Sequence, residues 1–364
     1  MIPEHDGSIV VLFPTFARFD LVDVDDAASD NPASNPKTYT HGMSATGVPH
    51  APARNAGTEL GLKYVTSTMV NRSAAERRAA TIPTRRGVKK EYQAAWLLRA
   101  IECIDLTTLS GDDTAGNVHR LCAKAIQPVR QDLLNAVGVK ELKVGAVCVY
   151  HRYVADCVRN LKGSGIKVAA VSTGFPAGLS PFEQRIDEIK ASVDAGADEI
   201  DIVITRAHVL KNEWQALYDE MQMFREACGS AHVKAILATG ELGTLTNVAR
   251  ASVVCMQAGA DFIKTSTGKE PVNATLPVTL AMARAIRSYE QTTGYKVGFK
   301  AAGGIRTAKQ SLEFMMLMKE ELGDEWLTPD LFRIGASTLL ADIERQVEHF
   351  VTGRYSAFNR HAVG

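Results

Sequence analysis

The sequence is short of several things, and each shortage closes off a class of function. No apolar run approaches the ~18–20 residues that a membrane-spanning helix needs, so no transmembrane segment is expected. The formal net charge is zero, from 41 basic and 41 acidic residues, so no global field draws the chain to nucleic acid or to an anionic bilayer. The six cysteines include no Cys-x-x-Cys pair and no zinc spacing. They read as reduced, mostly buried thiols of a cytoplasmic protein, with no disulfide framework and no metal site. Aromatic residues make up only 7% of the chain, and none interleaves with the basic run Asn71–Lys90, NRSAAERRAATIPTRRGVKK. That run therefore lacks the stacking platforms of a nucleic-acid binder and is expected to be a solvated face plus linker. The N-terminus also lacks the basic-then-apolar pattern of a secretory leader.

What is present fits an ordinary soluble enzyme: 364 residues, 46% hydrophobic and 23% charged. Residues 8–22, SIVVLFPTFARFDLV, form an apolar segment broken by Pro14, and residues 23–57 are rich in Asp, Ala, Ser, Asn, Pro and Gly. The expected organisation is a flexible, largely disordered N-terminal extension over 1–57, a folded unit over 58–355 and a short tail over 356–364. Val88–Ile101 reads as an extra amphipathic helix ahead of the main body, with Trp96, Leu97 and Leu98 facing inward.

Beyond that helix a short apolar strand, a loop and a helix recur. Candidate strands are Cys103–Leu106, Val144–Tyr150, Val168–Ser172, Glu199–Ile204, Val233–Ala238, Phe262–Thr265, Val297–Lys300 and Phe332–Gly335. Helical stretches such as Pro181–Ala195, Glu213–Ala227, Leu245–Ala258 and Val278–Gln291 lie between them. Eight such units over about 250 residues are the signature of an α/β fold of the (β/α)8 TIM-barrel type. The competitor, an open doubly wound sheet, usually carries a glycine-rich dinucleotide fingerprint after its first strand. The turn here, TTLSGDDT, has none.

The chemistry gathers around Gly259–Lys269, GADFIKTSTGK. A lysine inside a buried strand has little reason to be there unless its amine is used, since removing an unpaired charge from water is costly. Ala195–Asp201, AGADEID, and Ala258–Lys264, AGADFIK, echo one another, so Asp201 and Lys264 hold equivalent places in two strand units. Lys300 in VGFKAAGG repeats the pattern, and Asp105 stands near the end of the first strand. Strand C-termini carry the chemistry of barrel enzymes. A free lysine is neutral in only about one molecule per two thousand at pH 7. A second ammonium nearby lowers its pKa, and a drop of about three units would raise the neutral amine roughly 10³-fold. Lys264 is therefore cast as a Schiff-base former, Lys300 as its electrostatic perturber and Asp201 as the proton shuttle. Physics alone leaves the two lysine roles interchangeable. Asp105 is expected to orient a water, a hydroxyl or one of the lysines. Small residues in the loops after strands seven and eight, with Gly303, Gly304, Gly335 and Ser337, suit the approach of a phosphate. Gly268 and Lys269 add a further turn and a point charge.

Taken together, IDLTTLSGDDT, GADEIDIVI, ILATGELGTLTNV, GADFIKTSTGKE, VNAT, GFKAAGGIRT and FRIGASTLL run in an order that closely resembles the deoxyribose-phosphate aldolase family, in its longer, eukaryotic-type form. The likeness covers about Thr58 to Tyr355. It implies a metal-independent, cofactor-free lyase. Such an enzyme reversibly cleaves 2-deoxy-D-ribose 5-phosphate to D-glyceraldehyde 3-phosphate and acetaldehyde, in deoxyribose phosphate catabolism. By the same resemblance Lys264 is the Schiff-base lysine, Lys300 the second active-site lysine, Asp201 the acid of the proton relay and Asp105 another active-site acid. Gly268–Lys269, Gly303–Gly304 and Gly335–Ser337 match the phosphate-binding segments. The partners implied are a small phosphorylated sugar and acetaldehyde, with neither nucleic acid nor membrane; a homo-oligomer is compatible. Ala301 and His151 stand where the family commonly has proline, Cys148 matches a family cysteine, and Tyr355 is not terminal and is left out of the site. A different Schiff-base aldolase on the same barrel is the nearer alternative, and a non-catalytic scaffold using residues 8–22 the farther one.

Overall fold

The computed structural model describes residues 53–85, 87–357 and 360–362; the segment 8–22 lies outside them. Eight strands run β1 Ile104–Thr107, β2 Ala146–Tyr150, β3 Lys167–Ser172, β4 Glu199–Val203, β5 His232–Ile236, β6 Phe262–Lys264, β7 Gly298–Ala302 and β8 Phe332–Ala336. Each pairs in parallel with its sequence neighbours and β1 closes on β8, with helices between successive strands. This is the (β/α)8 barrel expected from the strand–helix recurrence. The strand expected over Val233–Ala238 stops at Ile236, because Ala238 adopts a left-handed conformation (φ 54°) that starts a tight turn at Thr239–Glu241.

The strands are built for burial on both faces. Outward positions such as Ile200, Ile202, Val233, Ile263, Phe299 and Ile334 join one continuous core with the helix layer. Inward positions divide in two. Cys148, Ala169, Val171, Val203 and Ile236, with Phe175, form a separate apolar cluster inside the barrel. Other inward positions carry charge, among them Asp201, Lys264 and Lys300. Threonine punctuates the units: Thr114, Thr244, Thr275 and Thr307 each accept a backbone amide at a helix start, which ends the preceding loop at a defined residue.

Two expectations are corrected. The basic run is a solvated face as expected but only in part a linker: Arg72–Ala80 is a helix capped by Asn71, with Arg72, Glu76 and Arg77 exposed and Ala75 and Ala79 buried. Alanine at those positions allows close approach to the core, while Arg78 reaches Glu320 at 2.5 Å. The second concerns the extension. Residues 54 and 55, placed on sequence within 1–57, are packed against the base of β6. Arg54 binds Asp261 at 2.8 Å and the carbonyls of Ser230 and Ala231. Asn55 is 1% exposed; its amide donates to the carbonyls of Met256 (2.8 Å) and Ala260 (2.9 Å), and its oxygen accepts from Tyr289 Oη. Composition could not show this, because a single asparagine satisfying buried carbonyls leaves no periodic signal. Asn55→Ala strands those groups and is expected to lower the unfolding free energy by about 2–3 kcal/mol, read from denaturant midpoints at unchanged m-value.

Candidate active site

Register brings the charged inward residues together. Lys264 on β6 lies opposite Lys300 on β7, and Asp201 on β4 opposite Lys234 on β5. Both lysines singled out in the sequence are buried, Lys264 at 2% exposure and Lys300 at 0%, and they share one carboxylate oxygen: Asp201 Oδ2 accepts from Lys264 Nζ at 2.8 Å and from Lys300 Nζ at 2.7 Å. Lys300 also pairs with Asp105. The four residues read from the sequence as catalytic thus meet in one place.

Three further residues complete the cluster and escaped the sequence reading. Lys234 Nζ bonds to Asp201 Oδ1 at 3.1 Å and pairs with Glu199. Arg333 on β8 donates to Asp105 Oδ1 at 2.6 Å and to Glu199 Oε1 at 2.9 Å. Each is a charged residue set in an apolar strand, in VKAI, DEIDIV and FRIG; the same signal that exposed Lys264 could have found them. Below them the Phe262 ring forms a floor, 5.9 Å from Lys234 Nζ and 6.0 Å from the Arg333 guanidinium carbon.

Space for this chemistry depends on glycine. A Cβ on Gly335 would stand 3.2 Å from Lys300 Cε and from Ala302 Cβ, so the glycine makes room for the lysine chain. One on Gly298 would meet the Phe262 ring at 2.4 Å.

The electrostatics separate the two lysines. Burial pushes the Lys264 amine below the ordinary lysine value; Asp201 works against that, and the Lys300 ammonium adds to it. For Lys300 burial acts in the same direction but is outweighed by Asp105 and Asp201, which raise it. Lys234 is likewise raised against burial, by Asp201, Glu199 and Asp105. Burial alone would raise the Asp201 carboxyl, yet Lys234, Lys264 and Lys300 hold it well below the usual carboxylate range. Repulsion from Lys300 is therefore a secondary cause of the Lys264 shift, and desolvation inside the barrel the leading one. This corrects the sequence argument, in which the second cation carried the whole effect. Asp105 contacts one lysine, Lys300, and one arginine, Arg333.

The expected phosphate residues lie on the loops at the strand C-termini, apart from Gly335 near the end of β8, with varied local bonding. The N–H of Gly268 donates to Glu270 at 3.1 Å, and Thr267 gives the same carboxylate its N–H and hydroxyl. Lys269 Nζ donates to the Leu109 carbonyl at 3.0 Å. Gly303 and Gly304 adopt φ +82° and +83°, and Ser337 Oγ donates to the Thr107 carbonyl at 2.8 Å. The helix after β7 does not offer its first amides: Arg306 and Thr307 donate to Gln310, and Ala308 to Asp342. Elsewhere, Cys148 is buried within the apolar cluster with its thiol pushed up by burial, His151 meets Ser192 Oγ at 3.1 Å, Ala301 is buried in β7, and Tyr355 is 84% exposed beside His349.

A family-wide profile described as DeoC/LacD family aldolase matches residues 99–345. The chain belongs to that family. It is an aldolase. It is 60% identical over 311 residues to the deoxyribose-phosphate aldolase of Bos taurus, an alignment covering 84% of this chain and 98% of the relative. With the Mus musculus protein of the same name it shares 62% over 307 residues, covering 83% and 96%. A solved structure of a putative deoxyribose-phosphate aldolase from Toxoplasma gondii superposes with a TM-score of 0.60 at 21% identity, over 73% of this chain and 97% of that one. A structure described as QR15, an aldolase, gives 0.54 at 25% identity over 69% and 96%. Among the described residues of this family member, no helix is long and apolar enough to cross a membrane.

Proposed function

We propose that this aldolase reversibly cleaves 2-deoxy-D-ribose 5-phosphate to D-glyceraldehyde 3-phosphate and acetaldehyde through a Schiff base on Lys264, as a cytoplasmic step of deoxyribose phosphate catabolism. The observation that carries the reading is the opposite treatment of two buried lysines on one carboxylate: Lys264 is pushed toward the neutral, nucleophilic form and Lys300 is held charged. The names of the mammalian relatives supply the substrate.

In this reading the neutral Lys264 amine adds to the C1 aldehyde, and with uptake of a proton the adduct loses water to give an iminium. A base takes the C3 hydroxyl proton, the C2–C3 bond breaks, and its electron pair moves into the iminium to form an enamine as glyceraldehyde 3-phosphate leaves. Protonation at C2 and hydrolysis of the imine then release acetaldehyde and restore the amine. Asp201, in contact with both lysine nitrogens, is the proton carrier, and Lys300 with Asp105 supplies the charge that favours its return to carboxylate. The apolar cluster of Ala169, Val171, Val203 and Ile236 receives the two-carbon fragment and keeps the amine desolvated. Phosphate is assigned to the loop after β7 at Gly303 and Gly304 and to the end of β8 and its loop at Gly335 and Ser337. Gly268 and Lys269 contribute only if the contacts with Glu270 and Leu109 yield.

The test is a retro-aldol assay with coupled detection of glyceraldehyde 3-phosphate, together with borohydride reduction in acetaldehyde and peptide mapping. The expected result is turnover of deoxyribose 5-phosphate and an ethyl adduct on Lys264. Turnover of a different phospho-sugar only, or an adduct on another lysine, would replace this reading with the alternative Schiff-base aldolase.

A further inference from the structure

The buried cluster has an odd charge count. Three carboxylates, Asp105, Glu199 and Asp201, face four basic groups, Lys234, Lys264, Lys300 and Arg333, all at most 4% exposed. A closed set of charges removed from water is costly when it carries a net charge. One base must therefore give up its proton for the set to balance at three against three. Arginine does not do so. Lys300 contacts two carboxylates, Asp105 and Asp201. Lys234 contacts Glu199 and Asp201, with Asp105 at 3.8 Å. Lys264 contacts Asp201 alone, so it loses least by becoming neutral.

We propose that Lys264 is kept uncharged by the balance of the whole cluster, and that Arg333 and Glu199, which Lys264 does not touch, set that balance as positioning residues for the reaction. The inference rests on the Schiff-base reading and extends it from a lysine pair to a seven-membered set. Geometry supports a transmitted effect. Arg333 occupies Asp105 Oδ1 at 2.6 Å, while Asp105 Oδ2 faces Lys300. Glu199 divides its oxygens between Arg333 and Lys234, and Lys234 holds the second oxygen of Asp201 at 3.1 Å. Every other titratable group near Lys264 is accounted for: from β2, Cys148 carries a thiol raised by burial and adds no charge, and the facing positions of β3 are Ala169 and Val171. At the base of the barrel, Glu199 and Arg333 line a cavity of about 640 Å³ shared with Arg99, Glu102, Asp198, His232 and Asp330. Solvent entering there moderates the effect without removing it.

Opposite changes at the two remote residues must then act with opposite sign. Arg333→Met removes a cation, leaves three bases against three acids, and allows Lys264 to keep its proton. The pH midpoint of borohydride trapping with acetaldehyde should rise by roughly one unit. Glu199→Gln removes an acid, deepens the excess of positive charge, and should lower that midpoint by a similar amount. The double variant should return it to within about half a unit of the parent, and Arg333→Lys, which keeps the charge, should leave the midpoint in place. Trapping is scored on Lys264 by peptide mapping, and near-ultraviolet circular dichroism confirms folding of each variant. Should Arg333→Met not fold, Glu199→Gln against Arg333→Lys carries the test. Shifts of the same sign in the two single variants, or no shift in Glu199→Gln, overturn the charge balance. Absence of any adduct on Lys264 in the parent overturns instead the Schiff-base reading on which it rests.

Discussion

Lys264→Ala is expected to abolish trapping by acetaldehyde and borohydride and to lower kcat for deoxyribose 5-phosphate cleavage by at least about 10⁴-fold, because an entire covalent pathway is lost rather than one stabilising contact. Loss of fold should not be the cause. Lys264 meets a single carboxylate, and Asp201 without it still accepts from Lys300 at 2.7 Å and from Lys234 at 3.1 Å. With Lys264 neutral, the set left behind still balances at three acids against three bases, so denaturant stability is expected to stay close to that of the parent. A variant that retained appreciable turnover, or that formed the same adduct elsewhere, would place the nucleophile on another residue.

Lys300→Leu should lower turnover by about 10²- to 10⁴-fold, equivalent to about 3–5 kcal/mol of transition-state stabilisation. Its pH dependence separates an electrostatic role from a purely structural one. In the parent, burial first and the Lys300 ammonium second hold the Lys264 amine below its ordinary value, with Asp201 opposing both. Removing Lys300 withdraws a contribution that favours the neutral amine and frees Asp201 to bind Lys264 more closely. The Lys264 pKa therefore rises, and the midpoint for imine formation moves to higher pH. Activity lost at pH 7 should return in part above the new midpoint. Unlike Lys264→Ala, this variant also leaves Asp105 with Arg333 but without its partner on β7, so reduced stability should accompany the kinetic loss. An unchanged pH profile would show that Lys300 acts by position alone.

The fold was legible because its units repeat. Short apolar runs followed by helical stretches recur eight times, and local propensity carries that information without reference to distant contacts. The boundaries that moved did so where one residue broke the pattern: Ala238 turning left-handed ended β5 early, and Asn55 tied residues assigned to a flexible extension onto the base of β6. The basic run over 71–90 shows a third limit. Its charge density reads as a solvated linker, yet two alanines one turn apart were enough to dock it as a helix.

The catalytic candidates divide along the same line. By itself the sequence determined which residues are anomalous: a charged side chain in an apolar strand declares a use, because burial penalises it locally wherever the strand ends up. Lys264, Lys300, Asp201 and Asp105 were found that way. The same signal marks Lys234, Glu199 and Arg333 but not which carboxylates they share: Arg333 reaches Asp105 and Glu199 only because β8 closes on β1. Nor could the sequence rank desolvation above repulsion at Lys264. Both depend on distances and on the exclusion of water, and these are properties of the assembled interior and not of any segment within it.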